Sequence, residues 1–458
     1  MYWHKWKFWQ KISLVLLGII LVAIASGLMK LIEPVKVTPI SQSSSPLEFS
    51  GQALLVASDA DMVATAYADA QLNRVPGIED TLTRISLPLD PQNPALATLP
   101  VSNSVMSWPQ IITASPDGQR AYIVEARSRP DDDIQALETI DDIPEGQLLT
   151  VVDLANPAQP QIIESVNVGR NPEHISISPD GKFLAVNLKE SGRELLIIEL
   201  LADGKLGKKT YMPINDASDG KSGRVAVWHP SGRFLALTQD NERQVGFYSF
   251  KTDASGQPTV EPYGEPLKVG NHLGIGRFSA DGRFFLVTDL RWSTRGIETF
   301  NFILNPPGEM IAIGFDEAGK QHQIVSRAEV GLSPEGFALS PDNSLIATVN
   351  LRRTYLSSFP PAWRGKPYSS LSLVKFEPNS GGLVTLSEYG FEGLLPEQAT
   401  FDADGKSLAV VIYNYREPTP KTGAVEFWNV VSGNNPTLER TGFKLDLVRG
   451  AHDIILLP

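Results

Sequence analysis

Six segments of the chain are variants of one unit. ISISPDGKFLAVNL at 175–188 recurs as IITASPDGQRAYIVEA (111–126), VAVWHPSGRFLALTQ (225–239), IGRFSADGRFFLVTD (275–289), FALSPDNSLIATVN (337–350) and ATFDADGKSLAVVIYN (399–414). Each has a β-rich run, a turn built from Pro or Ala, Asp or Ser and Gly or Asn, and a second apolar run. The Gly or Asn tolerates positive φ, so each copy reads as a tight hairpin. Pro116, Pro179, Pro230, Ala280, Pro341 and Ala403 mark the equivalent turn position, at steps of 63, 51, 50, 61 and 62 residues. That spacing suits one four-stranded propeller blade per repeat, with loops of variable length.

Outer strands are expected at 80–102, 148–169, 194–207, 244–258, 372–390 and 424–442, where alternating apolar residues are broken by Asn, Gly and Asp turns. The chain ends supply a seventh unit. SGQALLVAS at 50–58 aligns with SGRFLALT at 231–238, a second strand lacking its first. AHDIILLP at 451–458 aligns with PEHISISP at 172–179, a first strand lacking its turn. Pairing the two closes the ring and leaves no open sheet edge between the first and last blades. The expectation is all-β: a seven-bladed β-propeller over 50–458, closed by the C-terminal strand. No 3.6-residue periodicity supports a helical solenoid.

Ahead of it, MYWHKWKFWQK carries three Lys, and Ile12 to Met29 runs 18 residues without a charge. This length approaches a bilayer's thickness, and Trp3, Trp6, Phe8 and Trp9 suit an interface. Residues 1–36 thus read as a transmembrane signal anchor, or as a cleavable signal with Ala23-Ile24-Ala25 before the cut, and 37–49 as a Ser/Pro-rich linker. Either reading places the propeller outside the cytoplasm, periplasmic or extracellular, membrane-anchored or secreted. Without residues 1–36 there remain 35 basic and 51 acidic residues, so nucleic acid is excluded as a partner. The chain has no Cys, which excludes disulfides and thiolate metal sites.

In a propeller the residue just before each innermost strand faces a central funnel. Six residues back from each turn position stand Gln110, Glu173, Arg224, Gly274, Glu335, Glu397 and His452. Glu173, His174, Arg224 and His452 are the candidate catalytic groups: a general base for water and a cation for a developing oxyanion. Gln110, His272, Glu335 and Glu397 are candidate binding residues. Carboxylates sharing a funnel repel each other, which raises at least one pKa. No motif demands a cofactor and no HExxH-type metal spacing occurs. Three Glu around a channel nevertheless offer oxygen ligands for Ca²⁺ or Mg²⁺, as does the acidic insertion at 129–146. GxSxG, P-loop and Rossmann signatures are absent.

The SPDG-plus-strand repeats resemble the seven-bladed β-propeller lactonase family, including 6-phosphogluconolactonase-like proteins, and more loosely the YVTN-type surface propellers. The resemblance implies a lactone- or ester-hydrolysing funnel. It also implies a His before the inner strand of the third blade, an Arg before the turn of the fourth and an Arg in the sixth. Here the fourth is kept in Arg224–Pro230, RVAVWHP, the third reads Glu173-His174, and the sixth reads Pro334-Glu335-Gly336-Phe337. Replacing Arg by Glu argues for a ligand less anionic than a sugar phosphate. Two functions stand open: a hydrolase of a lactone or sugar-like small molecule, or a non-catalytic platform that holds an envelope protein through loops 59–79, 127–147 and 353–370.

Overall fold

A computed structural model of the protein describes residues 36–42, 47–214, 223–239, 243–292, 306–356 and 368–457. The expected N-terminal helix lies outside these residues. Among the described residues no helix is long and apolar enough to cross a membrane.

Seven antiparallel sheets of four or five strands are present among the described residues. In each blade the strands are lettered a to d from the axis outward. The repeated turns hold because their polar atoms satisfy one another. Ser178 Oγ donates to Asp180 Oδ1 at 2.7 Å and accepts from the Phe183 amide at 2.9 Å, and Ser279–Asp281 and Ser340–Asp342 repeat the pair at 2.7 and 2.6 Å. A serine before the Pro or Ala and an aspartate after it therefore close the hairpin through side chains. In blade four His229 takes the serine's place and meets Ser231 Oγ at 2.8 Å.

Blade one is assembled from the two ends of the fold. Ala53–Ser58 pairs with Thr81–Ser86 on one side and with Ala451–Leu457 on the other, with Val56 opposite Ile454. All six residues of Ala53–Ser58 are buried. Leu54, Val56 and Ile454 pack with Val425 and Phe427 of blade seven, so the closing strand also seals the contact between first and last blades. Burial of each such side chain contributes about 1.5–3 kcal/mol.

Blade five has its outer pair at Glu309–Gly314 and Gln323–Glu329, strands that the sequence reading leaves unassigned. Part of the 37–49 segment is not a free tether. The Thr38 amide donates to the Gly390 carbonyl, and Ser41 donates to the Arg440 carbonyl, both at 2.8 Å. Phe49 is buried edge-on against Phe427. The segment forms two isolated bridges to the outer strands of blades six and seven because their edges have amides and carbonyls to spare.

Candidate active site

The sheets deliver side chains to the axis by breaking register at one point. Pro172 pairs with Leu188 and His174 with Asn187, which leaves Glu173 as the extra residue of a β-bulge. The same happens at Glu335, between Pro334 and Gly336, and at His452, between Ala451 and Asp453. A bulged residue is released from the ladder and its side chain is re-aimed. Gly274 occupies the equivalent place in blade five, where a Cβ would lie 2.5 Å from the Glu335 carbonyl. That blade contributes His272 and Trp292 instead.

Glu173, Arg224, His272, Glu335 and Glu397 all line one cavity of about 380 Å³. Glu173 stands between two cations, with Oε2 3.4 Å from Arg224 Nε and Oε1 3.5 Å from Lys189 Nζ. The Arg224 guanidinium lies 5.0 Å above the Trp108 ring. Trp108 also meets the His272 ring edge-on at 5.4 Å, and Trp292 stacks on His272 at 5.2 Å. Tyr67 and Tyr355 complete the aromatic wall. Aromatic faces beside carboxyl groups suit a ligand with both C–H and O–H surfaces.

Burial sets the charges. The Glu335 carboxyl is pushed up to about 8 by desolvation, only partly offset by Arg224, so it carries its proton at neutral pH. Glu397, 1% exposed with neither oxygen hydrogen-bonded, is likewise raised, by burial and then by Glu335, Asp59 and Asp453. His272 is pushed down to about 4 by burial and by Arg224, so its ring is neutral. The repulsion among carboxylates expected from the sequence is thus relieved by protonation.

The remaining candidates lie elsewhere. His174 regains the ladder opposite Asn187, past the bulge that releases Glu173, and lies in a waist below the cavity. Its Nε2 meets Gln110 Oε1 at 2.9 Å, and Gln110 Nε2 donates to the Gly276 carbonyl at 3.4 Å. Gln110 Oε1 is therefore the acceptor, and His174 Nδ1 takes the Ala226 amide at 3.4 Å. With both ring nitrogens engaged and its pKa pushed down to about 3 by burial, His174 holds the waist together. His452 is fully buried behind Glu397, with Nε2 2.8 Å from Asn103 Oδ1. Neither His174, Gln110 nor His452 lines the capped cavity.

Two of the loops that a platform would use, 59–79 and 127–147, fold over the cavity. Met62, Ala64, Ala66 and Leu72 of the 59–79 loop pack with Ile143 of the 127–147 insertion and with Leu351, Tyr355 and Leu356. The Arg74 guanidinium stitches the first two loops, donating to the Pro130 carbonyl at 2.6 Å and to Asp132 Oδ1 at 2.9 Å. Sequence reasoning missed Tyr67, Trp108, Lys189, Trp292 and Tyr355. Of these, only Trp108, two residues ahead of the Gln110 register, carried a positional signal.

Among the described residues, one set of three carboxylates brings ligand atoms within 4.8 Å of one another, and it is Asp59, Asp61 and Asp80 rather than the funnel Glu or the acidic insertion. Asp59 accepts the Asp61 and Val105 amides and Asp80 accepts those of Ala60 and Asn103, so two of the three pin loop backbone. Asp61 is pushed up to about 7 by burial and by Asp59, although Arg129 stands 3.2 Å away.

No protein-family model matches the chain, and no curated protein matches it in sequence. Solved structures share its fold. The periplasmic gluconolactonase PpgL of Pseudomonas aeruginosa is 17% identical, with a TM-score of 0.60 over 89% of this chain and 99% of that one. A putative 6-phosphogluconolactonase from Bacteroides uniformis is 14% identical, with a TM-score of 0.56 over 89% and 100%. Another from Bacteroides fragilis is 14% identical, at 0.56 over 90% and 100%. The likeness is one of architecture: a seven-bladed propeller of lactonase-like form.

Proposed function

We propose that the protein hydrolyses a lactone or related cyclic ester in the capped cavity. The observation that carries this reading is that Glu335, whose carboxyl burial pushes up to about 8, lines the same cavity as the Glu173–Arg224 pair. Water attacks the acyl carbon while the Glu173 carboxylate takes its proton, and Arg224 and Lys189 donate to the oxyanion that develops. The ring C–O bond then breaks, and the Glu335 carboxyl gives its proton to the departing ring oxygen. Exchange with solvent returns one proton from Glu173 and one to Glu335, so the net consumption is a single water. Carboxyl groups at Glu335 and Glu397 beside aromatic walls suit a hydroxylated lactone, with C–H faces against the rings and O–H groups against the carboxyls. The basic, aromatic N-terminus followed by an uncharged run supports activity outside the cytoplasm, as does the likeness to a periplasmic protein.

The test is the hydrolysis of glucono-1,5-lactone and a panel of other lactones, measured above the spontaneous rate, by wild type and E335Q. Loss of a general acid lowers kcat by about 10²–10⁴. If no member of the panel were turned over faster than in buffer, or if E335Q matched wild type, the reading would be lost.

A further inference from the structure

The waist divides the central channel. The residues five positions before each turn, among them His174, Gln398 and Asp453, are fully buried. Below them, on the side of the repeated hairpin turns, opens a second cavity of about 640 Å³. It shares none of its lining with the capped cavity.

The register three residues before each turn faces this second space. Thr113, Ser176 and Thr400 bring hydroxyls to it, while Val227, Ala338 and Ile455 are apolar. Blade five brings Arg277, and the lining contains no Asp, Glu or Lys. Among the described residues no carboxylate oxygen lies within 4 Å of the Arg277 guanidinium, and its Nε, shielded from solvent, has no hydrogen-bond partner. Asp453 lies in the waist beside it, but its Oδ2 is taken by the amides of Ile111 and Ile112, at 2.8 and 3.0 Å, and its Oδ1 by that of Ile454 at 2.9 Å. Burial also raises the Asp453 pKa, which weakens it as a counter-ion. An Arg keeps its charge even when desolvated, so this channel mouth holds a cation without a full partner.

We infer that the mouth opposite the capped cavity binds a small molecule through an oxyanion, a carboxylate or a phosphate, with Arg277 as the anchor and the Thr113 hydroxyl as a further donor. A guanidinium presents parallel N–H groups that match either anion in two-point contact. A volume of 640 Å³ accommodates a metabolite-sized molecule. This site is independent of the hydrolytic reading, because the two cavities share no residue.

The experiment is calorimetric titration of the full chain with inorganic phosphate and, separately, with acetate, at constant ionic strength set by chloride. The variants are R277M, R224Q and V227E; the last keeps Arg277 and supplies a carboxylate from the neighbouring blade at the same register. The expected result is binding of at least one anion that weakens tenfold or more in R277M and V227E and survives in R224Q. Which anion binds distinguishes a planar from a tetrahedral ligand group. Absence of binding by both anions, binding that survives R277M and V227E, or equal loss in R224Q would overturn the proposal. If R277M fails to fold, V227E alone decides.

Discussion

His452 Nδ1 stands 3.9 Å from Glu397 Oε2, yet the two do not form an ion pair. Asn103 uses its amide nitrogen on the Ser58 and Val101 carbonyls, so its Oδ1 accepts and His452 Nε2 carries the proton. Burial pushes His452 down to about 3, which leaves its ring neutral, and pushes Glu397 upward towards its neutral form. The closing strand thereby meets the floor of the cavity as an uncharged contact. Two bare charges there would each lose several kcal/mol of solvation.

A neutral Glu335 has a consequence for stability. Its folded pKa of about 8 lies above the ordinary glutamate value of 4.5, so the folded state holds a proton that the unfolded chain has released between those limits. Its contribution is complete below pH 4.5 and is lost as pH rises towards 8, at about 1.4 kcal/mol per pH unit. Between pH 6.5 and 8 the histidines no longer oppose this trend, because unfolded His is already losing its charge. Thermal melts should therefore show wild type falling more steeply than E335Q over that window. Parallel curves would mean that Glu335 is ionised in the fold.

The same proton should shape catalysis. If Glu335 is the acid, kcat/KM for a substrate lactone declines above about pH 8, and E335Q lacks that limb as well as most of the activity. A pH–rate profile on both proteins reads this directly.

Gly336 follows the bulged Glu335, and a Cβ on it would sit 2.0 Å from the Glu397 backbone carbonyl. Blade seven must back away to admit a methyl group. Gly336→Ala is expected to cost about 1–3 kcal/mol, seen as a lower urea midpoint at unchanged slope.

Arg449 is fully buried and bridges three carbonyls: Ala60 at 2.8 Å, Asn73 at 2.7 Å and Pro420 at 3.1 Å. Arg449→Met leaves those acceptors and the nearby Asp59 without their donor and counter-charge. A loss of about 3 kcal/mol or more in urea unfolding is expected, since each buried group left unsatisfied costs about 1–3 kcal/mol. A variant as stable as wild type would show that the acceptors find other partners.

Arg74 fastens the acidic insertion through the Pro130 carbonyl and the Asp132 carboxylate. In Arg74→Ala, cleavage by endoproteinase Asp-N at the exposed Asp131–Asp133 stretch should quicken several-fold while the global melt moves little. Unchanged cleavage would mean that the 70–72 backbone pairing with 135–137 suffices.

The blades and their closure were legible because each rests on local chemistry that repeats: a serine, a turn proline or alanine, an aspartate and a glycine, with alternating apolar residues on either side. The axial register was legible for the same reason, and it found Glu173, Arg224, Glu335 and Glu397. What one register cannot encode is depth. Glu173 and His174 are adjacent, yet a bulge sends the first into the cavity and the second into the waist. The cap was illegible as structure because loops 59–79 and 127–147 lack periodicity; only their burial against Leu351 and Tyr355 makes them a unit. Lys189 and Trp292 came from strand ends outside the counted register.

The pairing of Val56 with Ile454 also imposes an order in time. The inner edge of Ala53–Ser58 waits through the synthesis of about four hundred residues before its partner exists, while six other blades have theirs within reach. Until then an apolar strand with bare amides and carbonyls is available to any similar strand, including the same segment of another nascent chain. The step that completes the ring is therefore also the one most exposed to crowding, and a chaperone that shields a single β-edge would find its target here.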